Sequence, residues 1–263
     1  MPYELIDIGA NLTHRGFDED RAEMMQRADD AGVTRMIVTG SSNQGSLDAV
    51  DLAETEPGRL YATAGVHPHH AADFDDSSAD LIRELAAKDC VVAVGECGLD
   101  YFRDFSPRQA QLAAFQSQLD IAAETAMPIF LHQRDAHDDF VDVLEPMLPR
   151  ITRAVAHCFT GEHESLREYL AMGLWIGITG WICDERRGAH LHDIVSAIPD
   201  DRLLIETDAP YLLPRTIQPK PKTRRNEPAY LQEVLRVVAE ARGQTEEHVA
   251  RITTENAIRF FGL

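Results

Sequence analysis

The chain has 263 residues, 44% of them hydrophobic, which is enough to bury a sizeable core and too apolar for a disordered segment. Its 25 Lys and Arg against 44 Asp and Glu give a formal net charge of −19. Such a surface excludes general charge-driven adhesion to nucleic acid or anionic membrane, though not a phosphate substrate held where the sign is locally reversed.

The amino-terminal run MPYELIDIGANL carries Glu4 and Asp7 inside its apolar stretch and has no cationic lead-in, so it is not expected to be a signal peptide. No uncharged apolar run approaches the length of a membrane span. Cys90, Cys97, Cys158 and Cys183 show no C-x-x-C pair and no zinc-ribbon spacing, which fits reduced thiols in a cytoplasmic protein.

In chain order, short apolar segments begin with LIDIG at Leu5, RMIVTG at Arg35, LYATAGV at Leu60 and VVAVG at Val91. They continue with PIFLH at Pro128, RAVAH at Arg153, LWIGIT at Leu174 and RLLIET at Arg202. Continuous apolar runs, rather than alternation, predict parallel strands covered on both faces. Helix-like stretches lie between them. Ser106-Pro107 reads as an N-cap with proline at the first helical position, followed by Leu112, Phe115 and Leu119 at helical spacing. Two more helices are expected from about Pro228 to Arg242 and from Glu246 to Phe261. The alternation predicts an α/β fold, a (β/α)8 TIM barrel forming a single domain over residues 1–263. A doubly wound open sheet is the structural alternative, but no G-x-G-x-x-G follows any strand. YLLPRTIQPKPKTRRNEP reads as a long loop after the eighth strand.

In such a barrel the site lies at the carboxyl ends of the strands. Those ends carry Asp7 and Asn11, then His67 and His69, Glu96, His132, His157 and Asp208. A carboxylate such as Glu96 in an apolar setting is costly unless paired or metal-bound. Glu96, His132, His157 and Asp208 converging from separate strands form a metal-ligand set, since a divalent cation neutralises the carboxylates. His67 and His69 are candidates for contacting an anionic substrate group, against a structural His-Pro-His turn. Asp100 and Tyr101 are candidate partners of the ligands. Arg134, Arg186, Arg187, Lys220, Lys222, Arg224 and Arg225 fall on the same face and reverse the sign locally, as a phosphate chain would require.

The stretches IDIGANLT, TAGVHPH, VGECGLDY, LHQRDAH, HCFTG, IGITGWICDERRG, LLIETDAPYLLPR, RRNEP and TTENAIRFFG together resemble the TatD family of metal-dependent nucleases over nearly the whole chain. The resemblance implies a (β/α)8 barrel that cleaves DNA or RNA phosphodiesters with a divalent metal. For the branch resembled most, it implies 3′–5′ exonuclease action on single strands. In that family the positions of Glu96, His132, His157 and Asp208 are metal-site residues. Many relatives carry His-x-His after the first strand, where this chain has Gly9-Ala10-Asn11, so ligands for a second ion are fewer; one could arrive with substrate and be bridged by Glu96.

The residues lead to a metal-dependent hydrolase with a phosphate-bearing substrate, which the resemblance makes single-stranded DNA or RNA. In it, Glu96 and Asp208 are catalytic and His67, His69, Arg134 and Arg225 bind substrate. Mg²⁺ is the expected ion, Mn²⁺ and Zn²⁺ being compatible with two imidazoles. No membrane contact and no obligate protein partner are expected, and a monomer is. Another hydrolase on a related metal barrel, such as an aminoacyl-tRNA deacylase, is the competing reading. A non-catalytic binding module would leave the ligand set superfluous.

Overall fold

The structure, a computed structural model, describes residues 3–263; Met1 and Pro2, which begin the amino-terminal run, lie outside the described residues. Strands β1 (Leu5–Ala10), β2 (Val33–Val38), β3 (Leu60–Ala64), β4 (Val91–Asp100), β5 (Ile129–Arg134), β6 (Ala154–Ala156), β7 (Trp175–Ile178) and β8 (Leu203–Ile205) form one sheet in chain order. Helices α1 (Arg21–Asp30), α2 (Asn43–Thr55), α3 (Asp76–Ala86), α4 (Arg108–Thr125), α5 (His137–Leu144), α6 (His163–Ala171) and α7 (Leu191–Ala197) connect them. Helices α8 (Leu231–Arg242) and α9 (Glu246–Phe261) close the chain. Parallel strands in unbroken order with a helix after each are the (β/α)8 barrel expected from the apolar runs.

Two local expectations change. VVAVG was expected to end its strand at Gly95, but β4 continues through ten buried residues to Asp100. The reason is backbone: Gly95 and Gly98 have φ of 132° and 140°, a region L side chains rarely adopt. They let the chain pass Glu96 and rejoin the ladder, where the register against β5 shifts between Gly95 and Cys97. Such a bulge re-aims a side chain, and the one it re-aims is Glu96. Ser106 is not the N-cap of α4; Pro107 is. The Ser106 hydroxyl instead accepts from the Ala72 N–H and donates to the His69 carbonyl, both at 3.0 Å. Phe115 and Leu119 are buried as expected, while Leu112 is half-buried and Gln111 and Gln118 take inward positions.

The chain divides into two compact units. One comprises the stretch to Ile37, Cys158–Leu170 and Ile176–Leu263; the other comprises Val38–His157 with Ala171–Trp175. In the first, the ends of β1 and β8 are pinned by polar groups. Asp208 N–H donates to Gly9 O at 2.8 Å and Asn11 N–H to Ala209 O at 2.7 Å. The Asp7 carboxylate accepts from the Thr207 N–H at 2.9 Å and its hydroxyl at 2.5 Å. Burial pushes the Asp7 carboxyl up to about 7, although the Thr207 hydrogen bonds oppose it. In the second unit, Phe115 of α4 stacks on Phe140 of α5, ring centroids 5.4 Å apart, beneath the strands that carry Glu96 and His132.

Two predictions follow from these constraints. A Cβ at Gly98 would run into the His132 carbonyl, so Gly98→Ala should lower stability by roughly 2 kcal/mol, read as a lower urea midpoint. An unchanged midpoint would show that the backbone there is not constrained. Because the folded Asp7 pKa is raised, its protonated form stabilises the fold at low pH, and that contribution fades as pH climbs from about 4 to about 7. Asp7→Asn should flatten this part of the stability–pH curve, and an identical slope in both proteins would contradict it.

Candidate metal centre

Glu96 is only 7% exposed, and three imidazoles from different elements meet one of its oxygens. Glu96 Oε1 lies 2.7 Å from His157 Nε2, 3.0 Å from His132 Nδ1 and 3.3 Å from His67 Nε2. His132 sits on β5, His157 directly after β6, and His67 caps the 3-10 turn Pro68–Asp73 that follows β3. Each is set by the sheet: His157 N–H donates to Leu131 O, His67 N–H to Ser41 O, and Glu96 N–H to Gly40 O.

Behind this group stands Asp100, 2% exposed, with Oδ2 at 2.8 Å from His69 Nε2 and 3.5 Å from His132 Nε2. The longer distance is an ion-pair separation rather than a hydrogen bond, and His132 Nε2 is a buried nitrogen without a hydrogen-bond partner. Two glutamines of α4 hold the loops that carry these groups. Gln111 accepts from the Asp100 N–H at 2.8 Å and donates to the Asp100 carbonyl at 3.2 Å. Gln118 does the same for Val66, the residue before His67, at 2.7 and 3.0 Å.

The electrostatics are those of buried negative charge calling for a cation. Burial raises the Glu96 carboxyl, but the facing imidazoles of His157, His67 and His132 reverse this and hold it well below the usual carboxylate range. Asp100 behaves likewise: burial raises it, and His132 and His69 bring it far down. His132 is pulled upward because Asp100 and Glu96 outweigh its burial. His67 goes the other way, since burial drives it down to about 4 and leaves it neutral at pH 7.

A divalent cation fits this donor set. Donor atoms of His67, Glu96 and His132 all lie within 4.8 Å of one another, the spacing a shared cation needs. Within the cluster His67 stands apart. Its Nδ1 accepts from the His69 N–H at 3.1 Å, so the proton of the neutral ring is on Nε2, facing Glu96. A ring in that tautomer offers the site an N–H donor rather than a lone pair. Among the described residues, the group with metal-binding spacing is His67, Glu96 and His132, and His157 meets the same Glu96 oxygen from just after β6.

The other residues picked from the sequence are distributed as follows. His69 packs beside His67, ring centroids 4.2 Å apart, and is bonded to Asp100. Arg134, at the end of β5, lies over the ring of Phe102. Tyr101 donates to Asp139 and is covered by Arg108, so it faces away from the ligands. Asp208 belongs to the other unit, in a left-handed conformation with φ 55°, and its Oδ1 accepts from Asn11 Nδ2 at 3.0 Å. Arg225, in that same unit, clamps Asp20 with two bonds of 2.6 and 2.7 Å and donates to Gly16 O. Its donors are committed to protein, which gives the expected phosphate contact no support. Arg186 and Arg187 pair with Asp184, while Lys220, Lys222 and Arg224 are exposed in the long loop after β8.

Sequence reasoning passed over Gln111 and Gln118, which look like ordinary polar helix positions. It also passed over Glu206, fully buried and accepting from the Cys158 N–H at 2.5 Å just after His157. The signal for Glu206 was present, a second acid ending the apolar run LLIETD.

The comparisons with known proteins agree with this geometry. The family model described as TatD related DNase matches residues 6–262. A relative from Pectobacterium carotovorum subsp. carotovorum, named 3′-5′ ssDNA/RNA exonuclease TatD, is 52% identical over 259 residues, covering 98% of this chain and 100% of its own. A protein of the same name from Dickeya dadantii is 53% identical over 257 residues, 98% of this chain and 97% of its own. Among solved structures, YJJV, a TatD homolog from Escherichia coli K12, superposes with a TM-score of 0.89 at 29% identity, covering 98% of each chain. A buried Glu ringed by imidazoles inside a match of this extent leaves one assignment: the chain belongs to the TatD-related DNase family of hydrolases.

Proposed function

We propose that this protein is a divalent-metal-dependent exonuclease that hydrolyses phosphodiester bonds of single-stranded DNA and RNA from the 3′ end. The observation that carries the reading is the meeting of His132, His157 and His67 on one oxygen of the buried Glu96 carboxylate. The names of the relatives, identical at about half their positions, support the substrate and the direction. Mg²⁺ is proposed as the working ion, with Mn²⁺ or Zn²⁺ also suited to two imidazole ligands. The reading extends to a monomer acting in the cytoplasm, in repair or breakdown of nucleic acid.

Glu96, His132 and His157 would hold a divalent ion, which when bound would polarise the scissile phosphate and lower the pKa of a water, while Asp100 orients His132 from behind. Asp208, assigned from its place in ETDAP, is a further metal-site carboxylate and accepts the proton of the attacking water. His67 directs its Nε2–H at Glu96 Oε1 and so holds that carboxylate in place beside a bound phosphate. His69, locked by Asp100, keeps the His67 ring in that tautomer through its backbone N–H. Arg134 adds fixed positive charge at the end of β5.

A time course on 5′-labelled single-stranded DNA with Mg²⁺ should give a ladder shortening from the 3′ end, abolished by a chelator and restored by added ion. A ladder from the other end, or release of amino acid from charged tRNA without oligonucleotide cleavage, would overturn the reading. Glu96→Ala should lower kcat/KM by at least roughly 10³-fold while the far-ultraviolet spectrum stays native, and calorimetry should show the metal affinity gone. His67→Ala should cost about 10²-fold in kcat with metal affinity kept, the result expected of a donor and not of a ligand.

A further inference from the structure

Two aromatic side chains on the β4–α4 loop are exposed beside this site, Phe102 at 53% and Phe105 at 67%. Single exposed apolar residues are unremarkable. These two are held out by a loop that has no freedom to fold them under. Arg103 N–H donates to Asp100 Oδ1 at 2.8 Å, and Asp104 N–H to Asp100 O. The buried Ser106 hydroxyl bridges Ala72 and His69, and Gln111 Nε2 donates to Ser106 O at 2.9 Å.

The rings also sit in a cationic and imidazole setting unusual for so acidic a chain. The Arg134 guanidinium lies 4.1 Å from the Phe102 centroid, with Arg103 at 5.7 Å. Phe105 packs on His69 at 4.8 Å, and His69 is 6.5 Å from the ring of His132. The aromatic surface is thus continuous with the ligand cluster.

We propose that Phe102 and Phe105, with Arg134 and Arg103 beside them, form a stacking platform for unpaired nucleobases next to the scissile phosphate. The inference rests on the nuclease reading above and adds the reason a single strand is required. A π-face accepts any base but needs that base's own face free, and a duplex offers none. Stacking also suits a protein with a net charge of −19, because it binds a polyanion without adding to charge-driven attraction. The flanking guanidiniums back the Phe102 ring and set positive charge beside the stacked base.

The test is binding of single-stranded DNA carrying 2-aminopurine near its 3′ end, with Ca²⁺ added and turnover suppressed. The full-length wild type is compared with Phe102→Leu, Phe105→Leu and the double variant. The wild type should quench the fluorescence, and each leucine should weaken binding about tenfold while leaving the salt dependence of Kd unchanged. Phe105→Trp should keep wild-type affinity. An oligonucleotide abasic at the same positions should bind every variant alike, and duplex DNA should not distinguish them. Undiminished fluorescence with the wild type, or equal affinity of wild type and double variant for the intact strand, overturns the platform. A protein that stacks the base yet cleaves nothing keeps the platform and loses the nuclease reading. One that cleaves with no dependence on either ring does the reverse.

Discussion

The site depends on one negative charge kept from water. Glu96 is buried on a strand that is otherwise apolar or glycine up to Asp100 at its end, and an unpaired carboxylate there would cost several kcal/mol. The fold answers with imidazoles delivered from three separate elements, each positioned by a ladder or loop hydrogen bond of its own. Removing any one delivery leaves charge uncompensated, so the bulge in β4, the tight backbone at Gly98 and the Gln111 and Gln118 clamps share one task. They keep a polar cluster preorganised inside apolar surroundings, where its electrostatics are strong and solvent does not screen them.

That cluster is net negative while its imidazoles are neutral. Glu96 and Asp100 face His67, His69, His132 and His157, and neutral imidazoles only partly offset two carboxylates. Without a cation the group draws protons, which is why His132 is pulled upward while the acids are held down. A divalent ion supplies the same charge and leaves the imidazoles neutral, as ligation requires. It also resolves the paradox of an acidic protein acting on a polyanion. On the function proposed above the attraction is local, made where an ion would bind and by a few guanidiniums, while the remaining surface stays repulsive.

The fold was legible in the sequence because buried parallel strands leave continuous apolar runs, and all eight runs became strands. The side chains that meet at Glu96 were legible for a related reason, since Glu96, His132 and His157 interrupt apolar runs where a strand should end. What escaped notice lacks that contrast. Two glycines carrying β4 past Glu96 look like a turn, and so the strand was expected to stop at Gly95. Ser106 before Pro107 looks like a cap, yet its hydroxyl is drawn into a tertiary bridge no local pattern records. Gln111 and Gln118 face the core because two loop backbones need partners there, a demand visible only once the loops are placed. Phe102 and Phe105 gave no warning, because periodicity speaks only about residues that become buried.

The Gly9-Ala10-Asn11 triplet shows how a substitution can change the role of a position while keeping its neighbourhood. An imidazole there offers a lone pair. An asparagine offers either an amide oxygen or an amide nitrogen, and its neighbour decides which one faces inward. The neighbour is the Asp208 carboxylate, which only accepts, so the nitrogen must face it, and it does so at 3.0 Å. The amide oxygen is turned from that carboxylate, and Asn11 serves as a donor that fixes the rotamer of Asp208. The same strand end holds the Asp208 turn twice more, through Gly9 O and through Asp7 on Thr207. With three tethers from the end of β1, a left-handed aspartate in the turn after β8 becomes a rigid feature. The end of the first strand therefore contributes orientation, holding the Asp208 turn through backbone and side-chain hydrogen bonds.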